Sequence, residues 1–352
     1  MGAVVRRGSD RMKYDVTIGI PVFRAEPYIR KTMESALSQS YPSIEFLVVD
    51  DGGDDKSIEI IKALSSSHSR GKDIRILYHS HNQGVSASRN QIIDEAQGDY
   101  LYFMDADDLI AVNTIALLVH NIRRYDAEIA FGSYEKIEIS GEKMVYQYPS
   151  LQLLGEDQLA CFSYRKYGGI QASACNYVVK ASLLRDHHLR FIDTDYWEDM
   201  VFTFELVTLI KRAVLLPDIT YSYLCHENSL SHYLGRDQIA KDEVMKNVET
   251  IDYLKGRTSL LYNKVYFPHR CYNVLMTDFY MACHILKRRR AIHPSVSNTE
   301  IKTMMSHPAS FHQICFFREG RIKNLCFYFI GHLPAFLCVF AIWCLGKIKK
   351  TV

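Results

Sequence analysis

Three carboxylates follow an apolar run in segment 100–109, which reads YLYFMDADDL. Asp105, Asp107 and Asp108 would repel one another at the end of a buried strand, so their proximity is unfavourable unless a cation neutralises them. Oxygen ligands suit Mn²⁺ or Mg²⁺, and these ions commonly hold substrate phosphates as well. If strand geometry continues, Asp105 and Asp107 share one face. The pattern predicts a metal–phosphate site, whereas Asp108 alone also fits a helix N-cap.

Polar residues also follow a second predicted strand, in VVDDGGDD at residues 48–55. Asp50 and Asp51 lie where that strand ends and the chain turns at two glycines. A carboxylate at this position can accept hydrogen bonds from the N–H edge of a base or from ribose hydroxyls. Because Asp and Gly are ordinary turn residues, a solvated turn is the alternative.

Three further residues or pairs have side chains suited to chemistry. In HNQGVSASRN at 81–90, Gly84 begins a helix whose free N–H groups favour anions, and Arg89 can pair with a phosphate or with the acidic cluster. Glu198 and Asp199 begin an amphipathic helix in DYWEDMVFTFEL, where they fit either the helix dipole or a catalytic carboxylate. His226 fits either a metal or phosphate contact or a polar loop.

The elements that must position these residues alternate between two periods over residues 15–134. Short β-branched or aromatic runs predict strands, and helical apolar spacing predicts helices between them. The alternation indicates βαβ units in a mostly parallel sheet, which binds ligands at the carboxyl ends of its strands. The predicted strands are 16–22, 45–50, 74–79 and 100–104, and the predicted helices are 26–39, 57–67 and 86–96.

Beyond residue 126 the simple alternation is lost. Apolar spacing at 199–210 and along 237–290 predicts helices. Shorter runs predict strands at 127–134, 143–148, 213–216 and 220–225.

Composition restricts the class of protein. The chain has 352 residues, with 42 Lys and Arg against 40 Asp and Glu, and 48% of its residues are hydrophobic. This excludes a disordered chain, a collagen and a disulfide miniprotein, and the balanced charge argues against a nucleic-acid partner. Because no signal-peptide core follows the start and the nine cysteines form no CxxC pair, we predict a cytoplasmic body with reduced cysteines.

The charge is unevenly distributed along the chain. Residues 285–352 contain 11 Lys or Arg and 2 Asp or Glu, a net charge of +9, and the rest of the chain is acidic. A basic segment of this kind suggests contact with something anionic.

The same part of the chain contains segment 325–346, LCFYFIGHLPAFLCVFAIWCLG, in which none of the 22 residues is charged. As one helix it would reach about 33 Å, enough to cross a bilayer core. Gly331, His332 and Pro334 argue against a continuous helix. The segment therefore fits a spanning helix, an interfacial helix pair, a buried core helix or an oligomer contact.

Four sequence blocks, taken in order, resemble family 2 glycosyltransferases, which have the GT-A fold. VTIGIPVFRAEPYIRKTMESALSQSYPSIEFLVVDDGGDDKS resembles that family's opening strand–helix–strand, and NQGVSASRNQIIDEAQGDYLYFMDADD resembles the block that ends in its DxD motif. ACNYVVKASLLRDHHLRF and WEDMVF resemble the acceptor-side block of bacterial surface-polysaccharide transferases. The resemblance implies an α/β, GT-A (Rossmann-like), mostly parallel sheet flanked by helices, with a helical C-terminal extension.

The resemblance also implies a role for each matched residue. Asp199 would be the general base with Glu198 beside it, and Asp107 would bind the metal, Mn²⁺ or Mg²⁺, at the donor diphosphate. His226 is a second candidate metal contact. The implied donor-binding residues are Pro21, Val22, Glu26, Asp51, Asn82, Gly84, Arg89, Asp105 and Ala106.

The resemblance implies an inverting, metal-dependent hexosyltransferase that moves a sugar from a nucleotide-sugar donor to a glycan hydroxyl. A UDP-sugar is the commonest case, and dTDP- and GDP-sugars stay open. The basic, apolar tail favours a lipid-linked acceptor in bacterial polysaccharide biosynthesis, with the protein peripheral to or anchored at the inner face of the cell membrane. Self-association as a homo-oligomer stays open. We predict an N-terminal arm at 1–14, a catalytic domain at 15–235 and a helical extension at 236–352.

Two other functions fit parts of the sequence. A nucleotide-sugar-binding, non-catalytic subunit of a membrane assembly could keep the same fold. A nucleotidyltransferase also holds metals with carboxylates on a doubly wound sheet, but it usually has a Gly-rich loop with Arg and Lys where this chain reads IPVFRAEPY.

Overall fold

A computed structural model describes residues 13–165, 169–194, 197–226 and 238–351. These residues divide into two compact units. The first unit takes the described residues of Met1–Leu154, Ser173–Asp195 and Leu209–His226. The second takes those of Gly155–Ala172, Tyr196–Thr208 and Glu227–Val352. Most of the predicted N-terminal arm and residues 227–235 of the predicted catalytic domain lie outside the described residues, and the predicted domain boundaries stay a prediction.

The strands of the first unit form one ten-stranded sheet. They form where short apolar or β-branched runs are bounded by turn residues, as the sequence predicts. Numbered in chain order, they are β1 (Tyr14–Val22), β2 (Ile44–Asp50), β3 (Ile74–Tyr78), β4 (Gly98–Phe103), β5 (Leu109–Ile110), β6 (Ile129–Ile137), β7 (Lys143–Tyr146), β8 (Leu151–Leu154), β9 (Tyr177–Lys180) and β10 (Arg212–Leu224). A small parallel pair, β11 (Ile239–Ala240) and β12 (Ile292–His293), belongs to the second unit.

Helices connect the strands and make up most of the second unit. The first unit contains α1 (Ile29–Leu37), α2 (Ser57–Ser67), α3 (Val85–Glu95), α4 (Thr114–Tyr125) and α6 (Ala181–Asp186). The second contains α5 (Gln158–Arg165), α7 (Glu198–Leu209, up to Thr208), α8 (Lys241–Ser259), α9 (Phe267–Arg288), α10 (Asn298–Met304), α11 (Phe311–Cys315), α12 (Arg321–His332) and α13 (Ala335–Ile348). The four strands and three helices predicted up to residue 104 are confirmed, with shifts of a few residues at their ends.

The order of the sheet explains how distant residues reach one edge. Strands β3, β2, β1 and β4 are parallel neighbours, and their connections are helical. Strand β9 then pairs antiparallel with both β4 and β6, and β10 pairs parallel with β6. Two reversals restore the original direction, so the carboxyl ends of β1, β2, β4 and β10 lie at the same edge.

Strand β10 corrects one sequence prediction. The two short strands predicted at 213–216 and 220–225 are one strand, with shifts of register between Leu215 and Ile219 and between Ile219 and Tyr221. Pro217 lies within this interruption. Because proline cannot donate to the ladder, it is tolerated where the pairing is irregular, and the strand resumes after it.

The helical prediction for 237–290 is confirmed from Lys241 to Arg288, with a break between α8 and α9 at residues 260–266. Its start is wrong, because Ile239–Ala240 form strand β11, and residue 237 lies outside the described residues. Segment 325–346 is divided between α12 and α13, which are separated by Leu333 and Pro334. The residue before a proline is disfavoured in the helical region, so α12 ends here. Across the part of the chain that the structure describes, no helix combines the length and the apolar character needed to cross a membrane.

Candidate functional site

The acidic cluster lies just beyond the carboxyl end of β4, at the edge where ligands bind in sheets of this type. Strand geometry ends at Phe103, and residues 104–108 form a turn before β5. Asp105 accepts a hydrogen bond from Nη2 of Arg89 at 2.9 Å. The guanidinium of Arg89 is buried and lies over the Phe191 ring, 5.3 Å from its centroid. Arg89 therefore pairs with the acidic cluster, one of the two roles that the sequence indicated for it.

The side chains of Asp107 and His226 lie in contact although they follow different strands, β4 and β10. Oδ2 of Asp107 lies 2.6 Å from Nε2 of His226, which follows the end of β10. The His226 ring stacks on Tyr28, with centroids 4.5 Å apart, and its Nδ1 is buried with no hydrogen-bond partner in the described part of the chain. Burial, followed by the charge of Asp105, raises the pKa of Asp107 above its ordinary value, although His226 lowers it.

Asp108 is the buried member of the acidic cluster. It accepts hydrogen bonds from the hydroxyl of Tyr221 at 2.6 Å and from the N–H of Leu224 at 2.8 Å. Burial and the charges of Asp105 and Asp107 raise its pKa well above the ordinary value. It precedes β5 rather than a helix, so the N-cap role considered for it is wrong. Instead, Asp108 ties the acidic turn to β10.

Asp51 lies beyond the end of β2 and is almost fully buried. Its Oδ1 lies 2.6 Å from Nδ1 of His79 and accepts the N–H of Gln83 at 2.8 Å. Its Oδ2 accepts the N–H of Gly84 at 2.9 Å. Asp51 therefore fixes the loop between β3 and α3. Its predicted contact with a nucleotide base stays a prediction.

The same loop contains two other predicted donor-binding residues. Asn82 is exposed, and its Oδ1 accepts the N–H of Gly84 at 3.1 Å. Gly84 has a φ of 89°, which favours glycine, and an added Cβ would meet nothing within 4 Å. The start of α3 is therefore an open surface at this edge of the sheet.

The end of β1 and the turn after it are held by the segment after β2. Val22 is buried and its carbonyl accepts the N–H of Asp51 at 2.9 Å, whereas Pro21 is half-buried. Glu26 is exposed, and its N–H donates to Asp55 at 2.8 Å. On the acidic turn, the carbonyl of Ala106 accepts the Thr32 hydroxyl of α1 at 2.9 Å. The structure thus brings the first-unit candidates to one edge of the sheet.

Glu198 and Asp199 belong to the second unit, where they form the first turn of α7. Both are partly exposed. Their helix is anchored by its buried face, because Phe202 and Leu206 are fully enclosed and Glu205 binds Arg270 at 2.6 Å. Glu198 and Asp199 therefore lie at the start of a helix that its buried contacts hold in place.

Arg270 is the centre of that anchor. It is fully buried, and its Nη1 donates at 2.7 Å both to the hydroxyl of Tyr164 and to the carbonyl of Phe204. Its Nε donates to Thr258 at 3.0 Å. Burial of a guanidinium is tolerated only when its donors are satisfied in this way.

The residues of the first unit fit a divalent cation. Within the described ranges, no group of three or more His, Cys, Asp or Glu side chains could hold a metal by itself. However, Asp107 supplies carboxylate oxygens and His226 an imidazole nitrogen, a donor set suited to Mn²⁺. Burial is the first cause of the raised pKa values of Asp107 and Asp108, and the negative charge of Asp105 is the second. Cations of this kind usually take their remaining ligands from substrate phosphates and water.

Comparison with known proteins identifies the family. Residues 17–190 match the model for glycosyl transferase family 2. The chain contains a glycosyltransferase family 2 domain at residues 17–190. It is 32% identical over 229 residues to the glycosyltransferase GlyA of Streptococcus pneumoniae, covering 61% of this chain and 31% of that protein. The chain thus spans under a third of the length of GlyA.

Two further comparisons cover more of each protein. The chain is 26% identical over 253 residues to an uncharacterized glycosyltransferase of Haemophilus influenzae, covering 72% of this chain and 92% of that protein. The crystal structure of S. aureus TarS 1–349 in complex with UDP-GlcNAc is similar with a TM-score of 0.61 and 15% identity, and 90% of each chain is covered. This likeness confirms the predicted GT-A architecture with its helical extension.

Sequence reasoning missed the residues that hold the family 2 motifs in place. His79 fixes Asp51, Tyr28 supports His226, and Tyr221 binds Asp108. His79 could have been found, because it is the last residue of the predicted strand 74–79, which ends at the same edge. Tyr28 and Tyr221 carry no local signal, since their partners are distant in the sequence.

Proposed function

We propose that this protein is an inverting, metal-dependent hexosyltransferase in bacterial polysaccharide biosynthesis. It takes a sugar from a nucleoside-diphosphate sugar and transfers it to a hydroxyl of a glycan. The observation that carries the proposal is the meeting of Asp107 with His226 beside the pair formed by Asp105 and Arg89. A UDP-sugar is the proposed donor, since TarS, similar in fold, binds UDP-GlcNAc in its crystal structure.

Donor binding would use the edge of the sheet in the first unit. Asp107 and His226 would hold Mn²⁺ or Mg²⁺, and the ion, when bound, would supply positive charge to stabilise the departing diphosphate. Asp105 would face the ribose and sugar, with its position set by Arg89. Pro21, Val22 and Glu26 would line the base pocket. Asp51 would contribute by holding the open start of α3 at Gly84.

The transfer itself requires one proton acceptor. Asp199 would remove the proton from the acceptor hydroxyl while its oxygen attacks the anomeric carbon, with Glu198 beside it. The new glycosidic bond forms as the bond to the diphosphate breaks, and the electron pair leaves with the nucleoside diphosphate. A single displacement inverts the anomeric configuration, and its transition state resembles an oxocarbenium ion.

The proposed acceptor is a glycan linked to a lipid. The basic character of residues 285–352 and the apolar segment 325–346 support this choice, because such an acceptor is held at a membrane surface. The corresponding location is the inner face of the cell membrane, with the protein bound peripherally.

The test is a panel of UDP, GDP and dTDP with their common sugars, each with Mn²⁺ or with chelator. We expect one nucleotide to raise the melting temperature by several degrees, since a ligand at about 100 times its Kd adds about 2.7 kcal/mol. The shift should disappear with chelator and in Asp107→Asn. Release of the nucleoside diphosphate from the matching donor should be lost under the same two conditions. Asp94→Asn, which removes an exposed carboxylate on α3, is the matched control and should behave as the wild type.

Other outcomes point to the alternative functions. Tight nucleotide binding without turnover of any donor would favour a non-catalytic subunit. Release of pyrophosphate instead of a nucleoside diphosphate would favour a nucleotidyltransferase. Full transfer activity in Asp107→Asn or Asp199→Asn would remove the assigned role of that residue.

A further inference from the structure

Helices α12 and α13 expose large apolar side chains. We call this set the apolar face: Ile322 and Phe329 on α12, and Phe336, Phe340, Trp343 and Ile348 on α13, which are 43–78% exposed. Single exposed apolar residues are normal on protein surfaces, but a succession of large ones marks an interaction surface. Phe336, Phe340 and Trp343 follow helical spacing, so they form one stripe along α13.

The apolar face is distinct from the packed side of the same helices. On α13, Cys338, Ile342 and Gly346 recur every four residues and are buried. On α12, Phe327 is buried, with its ring close to those of Tyr272 and Phe279 in α9. Each helix therefore has its own core contact, and the exposed stripe is additional to what its packing needs.

Cations flank the apolar face on both sides along the chain. Arg318, Arg321 and Lys323 lie near the start of α12, and Lys347, Lys349 and Lys350 near the end of α13. All six are exposed, and none forms a salt bridge within the described ranges. The Lys347 ammonium lies 5.6 Å from the centroid of the Trp343 ring. Exposed aromatic residues beside lysines are typical of the boundary between lipid headgroups and acyl chains.

We propose that α12 and α13 dock the protein on an anionic lipid bilayer, lying in the interface with the apolar face towards the acyl chains. The helices have 12 and 14 residues, which is too short for either to span the hydrocarbon core but sufficient for an interfacial helix. The six cations match negative headgroups in charge. The biological meaning of this docking rests on the proposed function, because a lipid-linked acceptor would lie at the same membrane surface.

The test measures binding of the full chain to vesicles without donor or acceptor. The vesicles are phosphatidylcholine alone or phosphatidylcholine with about 30% phosphatidylglycerol. We expect binding only to the anionic vesicles, with weakening at high salt. Phe340→Glu with Trp343→Glu should reduce binding by at least about tenfold. Leu260→Glu with Tyr262→Glu, which places two charges on exposed apolar residues of the second unit outside α12 and α13, is its matched control.

A second pair of variants tests the cations. Lys349→Gln with Lys350→Gln should weaken binding, whereas Lys62→Gln with Lys72→Gln, which removes the same charge from the first unit, should not. Melting curves check that every variant is folded. Asp107→Asn should bind vesicles as the wild type does, so failure of the catalytic proposal and failure of the docking proposal are distinguishable.

Three results would overturn the inference. The first is absence of binding to anionic vesicles, and the second is equal binding by the wild type and the Phe340/Trp343 variant. The third is a dimer in analytical ultracentrifugation that the Phe340/Trp343 variant abolishes, because the apolar face would then be covered by a second copy of the chain.

Discussion

Two carboxylate groups, one in each unit, differ in how the protein compensates their charge. In the first unit, burial raises the pKa values of Asp107 and Asp108, and the charge of Asp105 beside them raises these values further. In the second unit, the buried carboxylate of Glu205 binds the buried guanidinium of Arg270 at 2.6 Å. The protein compensates the charge of Glu205, whereas we propose that a bound cation compensates part of the charge of the acidic turn.

This difference predicts that the two groups respond differently to substitution. Breaking a paired buried charge leaves its partner without compensation and is strongly destabilising. Removing one charge from a group of like charges relieves repulsion. Removing a charge should therefore lower the free energy of unfolding at the pair of Glu205 and Arg270. In the acidic turn it should leave the free energy of unfolding unchanged or raise it.

The largest effect is expected at Arg270. Arg270→Met should lower the free energy of unfolding by about 3–5 kcal/mol, because the Glu205 carboxylate loses its buried cation and the hydrogen bonds to Tyr164 and Thr258 are lost. Urea denaturation followed by circular dichroism measures the change.

Arg257 provides the matched control for Arg270. It binds the same Glu205 carboxylate at 2.7 Å, but its side chain is 46% exposed. Arg257→Met should therefore lower the free energy of unfolding by no more than about 1 kcal/mol. Equal losses in the two variants would show that burial of the guanidinium is not what makes the pair stabilising.

A smaller effect is expected at His307, which the second unit buries in the neutral form. Its Nδ1 accepts the N–H of Ala309 at 2.9 Å, so its Nε2 carries the hydrogen that points to Asn324 at 3.0 Å. Burial lowers the pKa of His307 to about 4. Because the folded pKa lies below the unfolded value, the contribution to stability is complete above about pH 6.5 and is lost as the pH falls towards 4.

The measurement for His307 is the free energy of unfolding across this pH range. We expect the wild type to lose about 1–3 kcal/mol more than His307→Gln between pH 6.5 and 4. His120→Gln replaces an exposed histidine on α4 and should follow the wild type. Parallel curves for the wild type and His307→Gln would mean that His307 does not titrate differently in the folded state.

Much of the first unit could be predicted because its signals are local. The periods of β1, α2 and β4 are read within each segment, and Asp105 and Asp107 follow a strand directly. The pair of Asp107 with His226 could not be predicted from local signals. It depends on the antiparallel pairing of β9 with both β4 and β6, which reverses the strand direction twice. The single strand β10 was also missed, because Pro217 looks like the end of a strand in sequence and is a local irregularity in the structure.

The second unit shows a different limit of sequence reasoning. Segment 325–346 has the composition of a membrane span, yet Pro334 divides it into two helices whose packed and exposed sides alternate. The composition of the segment does not distinguish the packed side of each helix from its exposed side. Packing depends instead on which residues recur at helical spacing. Similarly, nothing local indicates that α7 is anchored by Arg270, because the partners of that guanidinium come from three separate places in the chain.

The smallest change in stability, and the sharpest test of the comparison, is expected at Asp107. In chelator at neutral pH, Asp107→Asn should leave the free energy of unfolding unchanged or raise it by up to about 1 kcal/mol. The substitution removes a carboxylate whose ionised form is disfavoured by burial and by Asp105, while the amide keeps a polar group near His226.

Urea denaturation of the wild type and Asp107→Asn in chelator measures this sign, with the Arg270→Met curve as the reference for a paired charge. A loss greater than about 1 kcal/mol would mean that Asp107 is held by His226 as firmly as Glu205 is held by Arg270. The carboxylates of both units would then serve the fold. An unchanged or raised stability, combined with lost donor turnover, instead fits a residue whose charge is unfavourable in the free protein and is stabilised by a bound ligand.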